Sequence, residues 1–201
     1  MSAPVDFYFD FASPYAYFLA EPLQALCERR GRRLRWRPIL LWTVLKQLGL
    51  PAPMENPAKQ RYMLHDMARS ARHYGRPFSL PSRFPLSSHL PARAFHYLQG
   101  QDETLAQRFA AEVFSAYFTR DADLGAPDVV AAIGVGLGLD RGVMEQAMNA
   151  DAAKDALRAA GAEAAARGVW GSPFVFVGDE AFFGADRLPQ IAAVLAATEN
   201  Q

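Results

Sequence analysis

Apolar and aromatic positions alternate with almost nothing polar in "VDFYFDF" (Val5–Phe11), and the short run predicts a buried strand. Ser13 then offers an N-cap hydroxyl and Pro14 suits the first helical position. The helix predicted from there runs through "YAYFLAEPLQALCERR" to Gly31, a C-terminal stop. Pro22 lies inside it and should kink it or start a second segment. "RLRWRPILL" (Arg33–Leu41) alternates and reads as a second strand, so the chain opens β-α-β, a parallel pair with a right-handed crossover.

The pattern then changes period. "PAKQRYMLHDMARSARHYG" (Pro57–Gly75) is helical, "SSHLPARAFHYLQG" opens on Ser88 and closes on Gly100, and "DETLAQRFAAEVFSAYFTR" opens on Asp102. "APDVVAAIGVGL", "DRGVMEQAMN" and "DAAKDALRAAGAEAAARG" continue in the same way, with no convincing strand up to Gly168. Strand signals return in "SPFVFVGDEAFFGA", two apolar runs around "GDE" that read as a hairpin. A last helix, "DRLPQIAAVLAAT", follows Asp186. The outline is an α/β fold: a thioredoxin-like core, β-α-β then β-β-α, interrupted by a large all-helical insertion. The expected division is 1–56 with 169–201 as the core domain and 57–168 as the insertion. The proline-rich "LPAPMENPAK" (Leu50–Lys59) marks the passage between them.

Composition narrows the function classes. The 201 residues are 51% hydrophobic, and 21 basic side chains balance 21 acidic ones. A nucleic-acid binder carries a basic excess, so no nucleic-acid partner is expected. The arginines of "RRGRRLRWR" read as a solvated helix end and strand start, with an anion patch as the alternative. Cys27 is the one cysteine, and His65, His73, His89 and His96 show no metal-ligand spacing, so no metal site is expected. No run of about 18 apolar residues and no leader pattern appears, so the expectation is a cytoplasmic protein without a membrane partner.

Four short stretches carry candidate chemistry. "GVGLG" (Gly134–Gly138) follows a helical pattern rather than a strand, so its glycines end a helix and permit close packing before Asp140 caps the next. "WGSPF" (Trp170–Phe174) puts Pro173 at a strand entry, either as a simple edge proline or as a cis proline. The cis reading leaves the Ser172 backbone able to pair with an extended peptide. "GADRL" (Gly184–Leu188) places Asp186 at a helix N-cap, where a carboxylate could also bind a ligand ammonium group. Ser13 lies at a helix N-terminus, which favours negative charge and depresses the pKa of a thiol held there. Yet "SPYA" has no cysteine at either end, so dithiol exchange is excluded and any working sulfur must come from a ligand such as glutathione.

"DFYFDFASPYAY", "PAKQRYMLHDMAR" and "GVWGSPFVFVGDEAFFGADRL", in this order and spacing, resemble the 2-hydroxychromene-2-carboxylate isomerases, which stand with the kappa-class glutathione transferases in the DsbA-like branch of the thioredoxin superfamily. The resemblance implies a glutathione-dependent cis-trans isomerase interconverting 2-hydroxychromene-2-carboxylate and trans-o-hydroxybenzylidenepyruvate. It implies Ser13 as the group that donates to the glutathione sulfur, Pro14 and Tyr15 shaping that helix start, Ser172 beside Pro173 pairing with the cysteinyl backbone, and Asp186 and Arg187 at the γ-glutamyl end. A family asparagine corresponds to Asn56, or in strict register to Leu50. Family members are often dimers, so a homodimer acting on a small aromatic substrate is what the resemblance implies.

Lys59, Tyr62, Asp66 and Arg69 follow at i,i+3 and i,i+4 steps and share one helix face. That face is either an ion-paired exterior stripe or a polar substrate wall, with Lys59 or Arg69 matching a substrate carboxylate. Phe11, Trp170, Phe182 and Phe183 read as core. Two other functions stay open: a kappa-like transferase acting on electrophiles, and a non-redox DsbA-like protein that holds a peptide at Pro173.

Overall fold

The computed structural model describes residues 4–197. Strand β1 (Val5–Phe9) leads into helix α1 (Pro14–Arg29), strand β2 (Leu34–Pro38) and a short helix α2 (Leu41–Gln47). Six helices follow: α3 (Pro57–His73), α4 (His89–Gln99), α5 (Glu103–Arg120), α6 (Pro127–Gly136), α7 (Arg141–Asn149) and α8 (Asp151–Ala166). Strands β3 (Phe174–Val177) and β4 (Glu180–Phe183), a 3-10 turn (Ala185–Arg187) and helix α9 (Leu188–Ala197) complete the chain. The sheet order is β2-β1-β3-β4, with β1 parallel to β2 and antiparallel to β3, and β3 antiparallel to β4. This is the thioredoxin-like α/β arrangement that the pattern predicts.

The central strands β1 and β3 are buried on both faces, which explains their unbroken apolar runs, whereas the edge strand β4 is largely exposed. Phe7 and Phe9 pack with Phe11, Phe18, Phe95 and Phe114 on one side. Tyr8, Phe174 and Phe176 pack with Ile39, Val44, Ala160 and Ala164 on the other. Each such fully buried ring contributes about 2–3 kcal/mol of apolar burial. Because the first cluster runs from β1 through α1 into α4 and α5, core and insertion share one interior. The 1–56 and 169–201 versus 57–168 division is thus our proposal about topology, not about separate cores.

Several local expectations shift. β2 ends at Pro38, and Leu41, expected in the strand, opens α2. No side chain at Leu40 caps α2; the buried Asp10 carboxylate does so from across the fold, accepting from Leu41 N at 2.8 Å. Local sequence carries no trace of that cap. Pro22 neither ends α1 nor starts a new segment, because buried residues before and after it (Phe18, Leu19, Leu23, Leu26) hold one continuous helix to the core. Gly31 (φ 58°) and Gly75 (φ 62°) end α1 and α3 as expected. Gly134 is needed for packing: a Cβ there would run into the Met144 side chain of α7. The hairpin loop is Gly178–Asp179, so Glu180 belongs to β4.

Candidate active site

The turn from β1 to α1 is built around Asp10, a carboxylate only 7% exposed. Its Oδ1 accepts from Ala12 N (2.9 Å) and Ser88 Oγ (2.7 Å), and its Oδ2 accepts from Leu41 N. Burial pushes its pKa up, against the pull of those three donors. Asp10 N donates to Ser172 Oγ at 2.8 Å, and Ser13 N donates to Asp10 O at 2.9 Å. One residue therefore joins β1, α2, α4 and the Pro173 loop directly beneath Ser13.

Ser13 caps α1, its Oγ accepting from Ala16 N at 3.3 Å. The same hydroxyl donates to Ser172 O at 2.8 Å. The Ser172–Pro173 peptide is cis, the sharper of the two expected forms. Ser172, expected to present a free backbone, is buried, and its carbonyl is taken by Ser13. Pro14 occupies the first helical position and brings no N–H of its own.

Beside this helix end lies a cavity of about 540 Å³. Tyr15 of α1 lines it, with Tyr62, Asp66, Arg69, Ser70 and His73 from one face of α3, then Tyr74. Phe183, Gly184, Ala185 and Asp186 close the far side. Tyr15 Oη donates to Asp66 Oδ2 at 2.7 Å; Ser70 Oγ donates to the same oxygen, and Arg69 Nη2 to Oδ1. Burial alone would raise the Asp66 pKa, but these three donors together outweigh it and hold the carboxyl below its usual range. Burial first and the Asp66 contact second push the Tyr15 phenol well up, so it stays protonated near neutrality. A groove of similar size between α5 and α6 is lined mostly by alanine, valine, isoleucine and leucine, its Arg120 already ion-paired with Glu112.

The structure thus brings Tyr15, Tyr62, Arg69 and Asp186 to one cavity, and joins Ser13 to Ser172 next to it. Lys59 and Asn56 stand apart at the start of α3. Asn56 Oδ1 caps that helix, accepting from Ala58 N and Lys59 N at 3.0 Å each. Leu50 is exposed, and neither it nor Asn56 lines the cavity. Asp186 is not the helix cap expected: it sits inside the 3-10 turn, α9 begins two residues later, and its carboxylate pairs with Arg187 at 2.7 Å. The turn is closed by backbone instead, Arg187 N donating to Gly184 O, with Gly184 at φ 105°.

Phe183 and Trp170 are not core, as expected of them, but 42% and 48% exposed. Their rings meet at 4.3 Å, and Gly171 lies so close under Phe183 that a Cβ would overlap the ring. Sequence reasoning passed over Asp10, and it read Ser88 only as a helix start, His73 only as a histidine without metal-ligand spacing and Phe183 as core. The signal for Asp10 was a carboxylate between two phenylalanines, which demands buried partners. Cys27, on the buried side of α1, has its thiol pushed up to about 11 by burial and contributes no nucleophile here.

A hydroxyl where a dithiol enzyme carries sulfur, at a helix N-terminus beside a cis proline and an aromatic cavity, defines the class. The chain belongs to the DSBA-like thioredoxin domain family, which matches residues 4–196. It is 30% identical to 2-hydroxychromene-2-carboxylate isomerase of Sphingobium xenophagum, over 97% of this chain and 99% of that protein. It is also 30% identical to glutathione S-transferase kappa 2 of Caenorhabditis elegans, over 96% of this chain and 91% of that one. Among solved structures it is similar to 2-hydroxychromene-2-carboxylate isomerase, with TM-score 0.87 and 29% identity over 98% of this chain and 96% of the other. Among the described residues no helix is long and apolar enough to cross a membrane.

Proposed function

We propose that this protein is a glutathione-dependent isomerase that interconverts 2-hydroxychromene-2-carboxylate and trans-o-hydroxybenzylidenepyruvate. The observation that carries the reading is Ser13: the helix end that would activate a thiol bears a hydroxyl, and the chain's only sulfhydryl, Cys27, is buried elsewhere. The similarity to proteins named as isomerases, across nearly the whole chain, supports the reaction class.

The residues present fit a thiol tripeptide. The α1 end and the Ser13 hydroxyl suit a sulfur anion, and Asp186 suits an ammonium group. Bound glutathione would supply a nucleophilic thiolate that adds to the conjugated substrate and leaves unchanged. Ser13 must rotate its proton from the Ser172 carbonyl toward the sulfur to stabilise the anion. Arg69, with Nη2 engaged by Asp66 and by Tyr62 Oη, keeps its other nitrogens for a substrate carboxylate. Tyr15, Tyr62, Tyr74 and Phe183 supply flat walls for an aromatic substrate.

The experiment is a thiolate titration by ultraviolet absorbance with glutathione bound, paired with isomerase turnover. Ser13→Ala should raise the bound thiol's pKa by about one unit, worth roughly 1.4 kcal/mol, and slow turnover accordingly. Equal pKa values in both forms, or turnover without glutathione, would sink the proposal. The similarity to a kappa transferase favours one second reading, conjugation to electrophiles; stable glutathione adducts accumulating in place of recovered glutathione would select it.

A further inference from the structure

Asp66 touches the cavity, yet both its oxygens are spent on the protein's own donors. Tyr15 and Ser70 share Oδ2, at 2.7 and 3.2 Å, and Arg69 holds Oδ1. Tyr15 lies two residues past Ser13, in the first turn of α1, whereas Arg69 lies on α3. The Asp66 side chain is 17% exposed and that of Arg69 51%. Arg69 also donates to Tyr62 Oη at 3.1 Å, with its guanidinium 5.6 Å from the Tyr62 ring centre. Asp66 is thus bonded both to the helix that carries Ser13 and to the guanidinium that faces the cavity.

A carboxylate beside Arg69 opposes any ligand carboxylate, since it already neutralises part of the charge that would attract it. A cavity selected only for affinity would leave that guanidinium unpaired. What the pairing provides is direction: a guanidinium held on one edge presents its remaining N–H groups along a fixed line. The far end of α3 is tied to α1 independently, through the Phe18–Tyr74 ring stack at 5.9 Å, Tyr17 Oη donating to Pro77 O at 2.9 Å, and the Arg76–Glu21 ion pair. The helix pair therefore has anchors besides Asp66, at Tyr74, Arg76 and Pro77 just past α3.

We propose that Asp66 is a positioning residue that gives up affinity for a substrate carboxylate in order to hold Arg69 at a fixed place relative to the Ser13 end of α1. The inference rests on the reading of this cavity as the substrate site. Its test uses salicylate, an aromatic carboxylate, titrated calorimetrically into wild type, Asp66→Asn and Tyr15→Phe, with isomerase kinetics on the same proteins. Asp66→Asn should bind salicylate about threefold more tightly, the size of a freed exposed ion pair. Its kcat should fall ~tenfold or more, because orientation is lost while binding is not. Tyr15→Phe should lower kcat with salicylate affinity within about twofold, and the double variant should turn over no more slowly than Asp66→Asn alone, as coupled residues do. Weaker or unchanged salicylate binding by Asp66→Asn, an unaltered kcat, or losses that multiply in the double variant would each overturn the proposal. A purely structural role would lower the melting temperature and leave the KM-against-kcat split untouched. If wild type shows no turnover at all, the proposed function fails separately, and the sign of the salicylate change still decides this inference.

Discussion

Strand β1 carries an aspartate near its start and meets another just past its end, and the fold treats the two oppositely. Asp6, 3% exposed, is ringed by guanidinium groups: Arg35 at 2.6 and 2.7 Å, Arg167 at 2.9 Å and Arg37 at 3.4 Å. Burial works to raise its pKa, but the Arg35 and Arg167 hydrogen bonds with the surrounding positive charge outweigh that and hold it low. Asp10, 7% exposed, meets only neutral donors, and burial pushes its pKa up. The first arrangement fastens the back of the sheet to α8, where Tyr8 and Arg37 also reach Glu163. The second lies under the Ser13 end of α1, where Ser13 N donates to the Asp10 carbonyl. Two backbone amides and a serine hydroxyl satisfy its carboxylate there without adding charge.

The sharpest way to break this comparison is to neutralise each aspartate in turn. Asp6→Asn strands three arginines around an amide and should cost about 3 kcal/mol, the low end for removing one partner of a buried ion pair because the arginines are partly solvated. Asp6 has a lowered folded pKa, so its contribution is present above about pH 4, its ordinary value, and is lost as pH falls through the folded pKa. Asp10 has a raised one, so its contribution is fully present below about pH 4 and is lost as pH rises through the folded pKa. Urea midpoints across pH should therefore show the Asp6→Asn deficit shrinking in acid and the Asp10→Asn deficit shrinking toward neutrality. Parallel slopes would abolish the contrast.

A smaller effect sharpens it. Ser88→Ala removes one of the three donors to Asp10 and should cost about 2 kcal/mol where Asp10 is ionised, since hydrogen bonds to charged groups are the stronger kind. That cost should diminish in acid, and a cost independent of pH would show that Ser88 serves packing alone. The smallest effect is a control. Asn56→Ala removes a local, neutral cap and should cost about 1 kcal/mol at any pH, with glutathione affinity unchanged. If affinity instead collapses in a glutathione titration, Asn56 belongs to the site after all.

What could be read from sequence follows the same divide between local and distant partners. Ser13, Asp102 and Asp140 cap their own helices through bonds to residues two or three positions on, and those helix starts were legible. Helix α2 was not, because its cap is a carboxylate 31 residues earlier in the chain. Ser88 looks like an ordinary cap, yet its hydroxyl is spent on Asp10. The i,i+3 and i,i+4 spacing put Tyr62, Asp66 and Arg69 on one face, and that face does line the cavity. Spacing could not say that Lys59 falls outside it, or that β4 turns Phe183 toward it, since both depend on how α3 lies against the hairpin.

The seclusion of Cys27 has a practical corollary. Its thiol is fully buried and ionises only near 11. Alkylating dyes and disulfide reagents applied at neutral pH will thus find almost no background on the native polypeptide. Any rapid labelling or mixed-disulfide chemistry seen in a complex reports on the added small thiol alone, so its occupancy and ionisation can be followed by reagents that would be useless on the cysteine-bearing members of this fold.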